Sequence, residues 1–190
     1  MNTGCPSKAN RNSVNDHRVM LTYIEKHAVG HIAALARTTE DTFVFMAGDT
    51  CHFPGTFRPS PQLTLPKTIP TKANLDARFP KPCPSSCFTS VHRAPGQASS
   101  KAFYEISQKE GGWYVDPGTA QASVTSLEDF DGDSNILVLI AHDIGLLEIT
   151  ELFPAHKINN WKDQGLKEKL AWSFLNELPS ADGKSRRSFL

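Results

Sequence analysis

The sequence predicts an α/β fold, and two kinds of segment carry that expectation. Two apolar runs, TFVFMAG (42–48) and NILVLIAHD (135–143), have the β-branched and aromatic bias of strands buried in a sheet. Each ends in polar residues, so Asp49, His142 and Asp143 stand where strands stop. Two other segments have helical spacing. They place Ala122, Val124, Leu127 and Phe130 together in AQASVTSLEDF (120–130), and Leu170, Trp172, Phe174, Leu175 and Leu178 in KEKLAWSFLNELP (167–179). Strand ends collect ligands and catalytic groups in α/β folds, because the strand fixes a side chain and the loop leaves it access to a cleft.

The elements follow in order. Residues 1–17 are polar, with neither the apolar core of a secretory signal nor the Arg-rich face of a transit peptide, and read as a disordered lead-in. RVMLTYI (18–24) and HIAALAR (31–37) are strands around HAVG, and TFVFMAG follows them across the turn-forming TTED, which makes a meander. The segment 54–97 carries most of the prolines and reads as a long loop, either a functional lid or poorly ordered. Structure resumes at SKAFYEI (100–106), continues through the helix 120–130 and the strand 135–143, and closes with the amphipathic helix 167–179 lying on the sheet. Pro179 stops that helix, and a polar tail fills 180–190. No internal repeat is present.

Length and charge exclude several classes. A chain of 190 residues fills one core and is too short for two ordinary domains, so 18–179 is expected to fold as one. Twenty basic and twenty acidic residues leave no net charge and no footprint for nucleic acid. The longest apolar run, ILVLIA (136–141), is far short of a membrane span. Cys5, Cys51, Cys83 and Cys87 are too few for a disulfide scaffold, which points to a reducing, cytoplasmic setting.

Two strand ends deliver Asp49 and the pair His142 and Asp143, while His27 and His31 flank a glycine in HAVGH. Two histidines and one carboxylate suit zinc or another borderline metal if the fold brings them together. Weaker signals read as structure. DFDGDSN (129–135) starts like a calcium loop but lacks its glycine and its closing glutamate, and is taken as a surface turn. CPSSC (83–87) has no second Cys or His pair at zinc-site spacing, and GKSRR (183–187) lacks the upstream glycine of a phosphate-binding loop.

The joint pattern of HAVGH, a strand pair, AGDTCH and a late LVLIAHD resembles the second half of the metallo-β-lactamase superfamily. There an H-x-x-G-H turn, a strand-end Gly-Asp and a late strand-end His occur in this order. The spacing of His27 from Asp49 (49 − 27 = 22) also suits that family. GDTCHFPGTFRPS, WYVDPGTAQASVTSLEDFD and FPAHKINNWKDQGLKEKLAWSFLNEL are similar to fungal metallo-β-lactamase-like hydrolases, so the resemblance covers roughly residues 27–179. It implies that His27 is a ligand of one metal, Asp49 the carboxylate bridging two, and His142 a ligand of the second. His31, His52 and Asp143 are the candidates for orienting those ligands through hydrogen bonds.

One departure matters. The superfamily's H-x-H-x-D-H signature does not occur here, and the only histidine before His27 is His17. The resemblance therefore implies a partial αββα sandwich, mainly its C-terminal αβ half. An intact member holds two zinc ions; this chain is expected to hold at most one. A half-sandwich is expected to expose an apolar sheet face and to self-associate. The implied function is metal-dependent hydrolysis of a small-molecule lactone, thioester or other ester. The alternative is a non-catalytic remnant or interaction module without turnover.

Overall fold

The computed structural model describes residues 19–23 and 31–179. The expected meander is present as β1 (Val19–Tyr23), β2 (Ile32–Arg37) and β3 (Phe43–Met46). These pair antiparallel, with Val19 opposite Ala36 and Ala34 opposite Met46. The TTED turn closes through Thr42, whose carbonyl accepts from the amides of Thr38 and Thr39. The lead-in, the turn carrying His27, and the tail 180–190 lie outside the described residues.

The proline-rich stretch holds little regular structure but is packed. It contributes β4 (Thr68–Ile69), β5 (Cys83–Pro84), the single helical turn α1 (Ser86–Thr89) and two 3-10 turns, Pro54–Thr56 and Pro95–Gln97. Leu65, Ile69, Ala73, Cys83 and Phe88 are nonetheless buried in one cluster with Phe103, Trp172, Phe174, Leu175 and Leu178. Prolines withhold backbone donors from ladders, so side-chain burial holds this segment. Residues 100–106 form no regular element, yet Ala102, Phe103 and Ile106 are buried.

Helix α2 (Pro117–Gly132) starts earlier than its apolar spacing indicates. Asp116 caps it, accepting from Thr119 N at 3.0 Å, and Pro117 stands at its first turn. Its buried face, Ala120, Val124 and Leu127, packs with Phe45 and Val138. The stretch DFDGDSN is corrected here: it is not wholly a surface turn. Asp131, in the last turn of α2, is fully buried and pairs with the fully buried Arg58 through bonds of 2.7 and 2.6 Å.

Strand β6 (Ile136–Leu139) runs parallel to β3 and completes the order β1-β2-β3-β6. Short helices α3 (Ile144–Ile149) and α4 (Leu166–Leu170) follow. The long closing helix expected over 167–179 is instead α4 and a separate 3-10 turn, Ser173–Glu177, because Trp172 leaves helical geometry at φ −120°, ψ 7°. Only the first piece serves the sheet: Leu166 and Leu170 pack with Val44, Leu137 and Trp161. The second fills the core of the proline-rich stretch.

The middle of the sheet is thus covered on both sides. Val44 and Leu137 meet Trp161 and α4, while Phe45 and Val138 meet α2. The bare half-sheet expected from the sequence is corrected for β3 and β6. Among the described side chains, the exposed large apolar ones of the sheet are Val19, Met20, Ile32 and Met46. No helix among the described residues is long and apolar enough to cross a membrane.

Candidate metal centre

Parallel pairing decides which polar groups meet. Met46 stands opposite Leu139, and beyond the strands Ala47 N donates to Leu139 O at 2.8 Å and Ala141 N donates to Gly48 O at 2.9 Å. Asp49 and His142 are each three residues past the Met46–Leu139 pair, so the register brings them side by side. Asp49 Oδ1 lies 3.2 Å from His142 Nε2, and both side chains are near half exposed. Either side chain is therefore open to a solute.

The turn presenting Asp49 is closely tied. Ala47 O accepts from Thr50 N at 3.2 Å, from Thr50 Oγ1 at 2.6 Å and from His31 Nε2 at 3.3 Å. Gly48 has φ +55°, and a Cβ there would lie 2.8 Å from His31 Cε1. Only glycine combines that backbone with so close a ring. His31 thus buttresses the turn below Asp49 and contributes no ligand atom to the cluster described next.

Asp49, His52 and His142 each offer a ligand atom, and these atoms all lie within 4.8 Å of one another. The His52 ring is 4.7 Å from that of His142, tilted by 48°. His52 Nδ1 is 3.0 Å from Tyr114 Oη, and Trp113 flanks the same ring at 5.4 Å. One carboxylate oxygen and two imidazole nitrogens are the donor set of a borderline cation, and three protein ligands leave a coordination position open. The donor chemistry therefore fits a zinc-like ion.

Two neighbours of the cluster stay protonated at neutral pH. Burial pushes the Cys51 thiol up to about 12, and its side chain packs in the core rather than among the cluster's donors. Burial, with Cys51 and Asp49 adding to it, pushes the Tyr114 hydroxyl up to about 12.

Sequence and structure place the site residues differently in several cases. Asp49 and His142 converge, and His27 lies outside the described residues. His52 stands among the donors, although the sequence placed it in their surroundings. Asp143 is not among the cluster's donors: it is buried at the start of α3, and burial raises its pKa against the opposing charge of Arg58. Tyr114 and Trp113 were not singled out by sequence, since their distance from Asp49 along the chain hides the contact. The available cue was an aromatic pair just before a helix cap, in WYVDPG.

Comparison with known proteins finds relatives that match most of this chain. The chain is 37% identical over 161 residues to a gamma-lactamase FDB1 of Fusarium pseudograminearum, a match covering 82% of this chain and 37% of that protein. It is also 37% identical over 157 residues to a metallo-hydrolase mfmC of Annulohypoxylon moriforme, covering 82% of this chain and 39% of that protein. The chain is metallo-β-lactamase-like. This metallo-β-lactamase-like chain spans well under half the length of those curated relatives. It also matches, at 31% identity over 157 residues, 15% of a protein of Penicillium roqueforti named cytochrome P450 monooxygenase mpaDE. No family model and no solved structure matches it.

Proposed function

We propose that this chain is the metal-binding C-terminal αβ half of a metallo-β-lactamase-type αββα sandwich. Its activity is metal-dependent hydrolysis of a small acyl compound. The observation that carries this reading is the register of β3 and β6, which sets a carboxylate and an imidazole 3.2 Å apart at an accessible strand end. The name gamma-lactamase of one relative adds a cyclic amide to the lactones, thioesters and other esters that the sequence resemblance implies.

In this reading His27, Asp49 and His142 would hold the ion, with zinc the one their chemistry favours. A zinc ion held there supplies a bound water acidified to near neutral pH and polarises a carbonyl. The chain's own residues do the positioning. Asp49 places one negative charge against the cation and is held by the Ala47–Thr50 turn, while His142 is fixed by the pairing of Ala141 with Gly48. Such rigidity is needed because a loosely held ligand loses most of its binding geometry. The described cysteines Cys51, Cys83 and Cys87 are free thiols, which suits the proposed cytoplasmic setting.

A second reading, a segment that binds metal without turnover, draws on the match to 37% and 39% of the relatives' lengths. One experiment separates the two. Zinc is measured in the purified chain after dialysis against a weak chelator, beside Asp49→Ala, and a panel of γ-lactams, lactones and thioesters is then assayed. About one zinc per chain, lost in the variant, with zinc-dependent turnover supports the hydrolase. Zinc without turnover selects the second reading, and no retained zinc overturns both.

A further inference from the structure

We infer that His52 is itself a metal ligand, through Nε2, and that Tyr114 is the positioning residue that fixes its tautomer. This rests on the metal-binding reading above and adds a ligand that the resemblance does not supply. A neutral imidazole has two tautomers, and only the ring nitrogen without a proton can bind a cation. His52 Nδ1 and Tyr114 Oη lie 3.0 Å apart, and in the proposed tautomer Nδ1–H donates to that oxygen, which leaves the lone pair on Nε2.

The placement of both residues is built rather than incidental. His52 follows Cys51, which is fully buried, so the backbone beneath the imidazole is anchored in the core. Tyr114 packs against the cluster of Phe45, Val124 and Val138 and precedes the capped start of α2 by two residues. Its ring meets the His52 ring edge-on at 5.7 Å, and the Trp113 ring lies 5.4 Å away, tilted by 59°. The imidazole is bracketed by Tyr114, Trp113 and His142. Side chains so bracketed lose little further freedom on binding an ion.

The consequence is a one-ion site built from residues 49 to 142 alone. One carboxylate and two neutral imidazoles leave a divalent ion with a net charge of +1 and an open position, the arrangement of a catalytic zinc site. This construction does not call on His27.

Cobalt(II) alone is the probe, because its visible absorption reports ligand number. The chain, Asp49→Ala, His142→Ala, His52→Ala, His52→Gln and Tyr114→Phe are titrated with it, and nitrogen NMR of the metal-free forms reads the His52 tautomer. Tyr114→Phe keeps the ring and removes the acceptor. It is expected to weaken cobalt about 10- to 100-fold, while leaving the thermal midpoint of the metal-free chain unchanged. The tautomer shifts away from the Nδ1–H form, which a merely structural role would not cause. Both His52 variants weaken cobalt further and reduce its absorption. Wild-type affinity in the His52 and Tyr114 variants, with loss in Asp49→Ala and His142→Ala, overturns this inference and leaves the metal-binding reading intact. A wild-type chain that binds no cobalt overturns both.

Discussion

Replacing Asp131 by alanine tests how far the fold depends on one buried ion pair. Asp131 and Arg58 have side chains only 1% and 2% exposed, and the guanidinium makes two bonds to the carboxylate. Burial alone would lower the Arg58 pKa; Asp131 reverses that and raises it. Without Asp131, the cation keeps its contact with Leu170 O at 3.5 Å, a weak bond. An uncompensated buried charge costs about 3–5 kcal/mol, against a whole-domain stability of about 5–15 kcal/mol. Asp131→Ala is therefore expected to lower the urea midpoint by about 2 M, taking a slope near 2 kcal/mol per M. The double variant Arg58→Met with Asp131→Leu removes both charges and should recover most of the loss. A single variant costing under about 1 kcal/mol, or a double variant no better than the single, would refute the reasoning.

Four further expectations rest on other features. Gly48→Ala places a methyl 2.8 Å from His31 Cε1 at φ +55°, and should cost about 1–3 kcal/mol in urea titration and weaken zinc in calorimetry; no change in either contradicts the account of the turn. Asp116→Ala removes the cap of α2 and should lower the melting point by about 2–4 °C in calorimetric scans. Cys51 holds its proton in the folded chain up to about 12 against an ordinary 9.0, so the stability it contributes is full below pH 9 and lost as pH rises toward 12. Denaturation midpoints should fall across that window, and Cys51→Ala should flatten the fall. Self-association, if it uses the sheet, has Val19, Met20 and Ile32 as its apolar contacts, so Ile32→Lys should shift light-scattering mass toward the monomer. A wild-type monomer would end that proposal.

The strands of the sheet were legible because their side chains report burial directly. TFVFMAG and NILVLIAHD are apolar on consecutive residues, as strands covered on both faces must be, and that is how Val44, Phe45, Leu137 and Val138 sit. The closing helix was less legible. Leu170, Trp172, Phe174, Leu175 and Leu178 match helical spacing, yet they divide between two clusters, which a straight helix cannot reach together. The proline-rich stretch misled for a related reason: few backbone donors say nothing about how many side chains are buried. At the site, the meeting of Asp49 with His142 follows from parallel pairing, which strand ends alone do not reveal. The closeness of His52 to Tyr114 depends on tertiary placement, for which the sequence carries no local signal.

The pairing of β3 with β6 has a mechanical meaning as well. Asp49 and His142 are 93 residues apart along the chain (142 − 49 = 93), so an ion gripping both closes a long covalent loop through its own coordination bonds. A permanent cross-link of that span would restrict the unfolded chain by about 4.5 kcal/mol, and a metal clip acts the same way while it stays bound. The cation would then be a rivet as well as a reagent. Its removal should speed unfolding most where the proline-rich stretch and α2, both lying inside that loop, are released together.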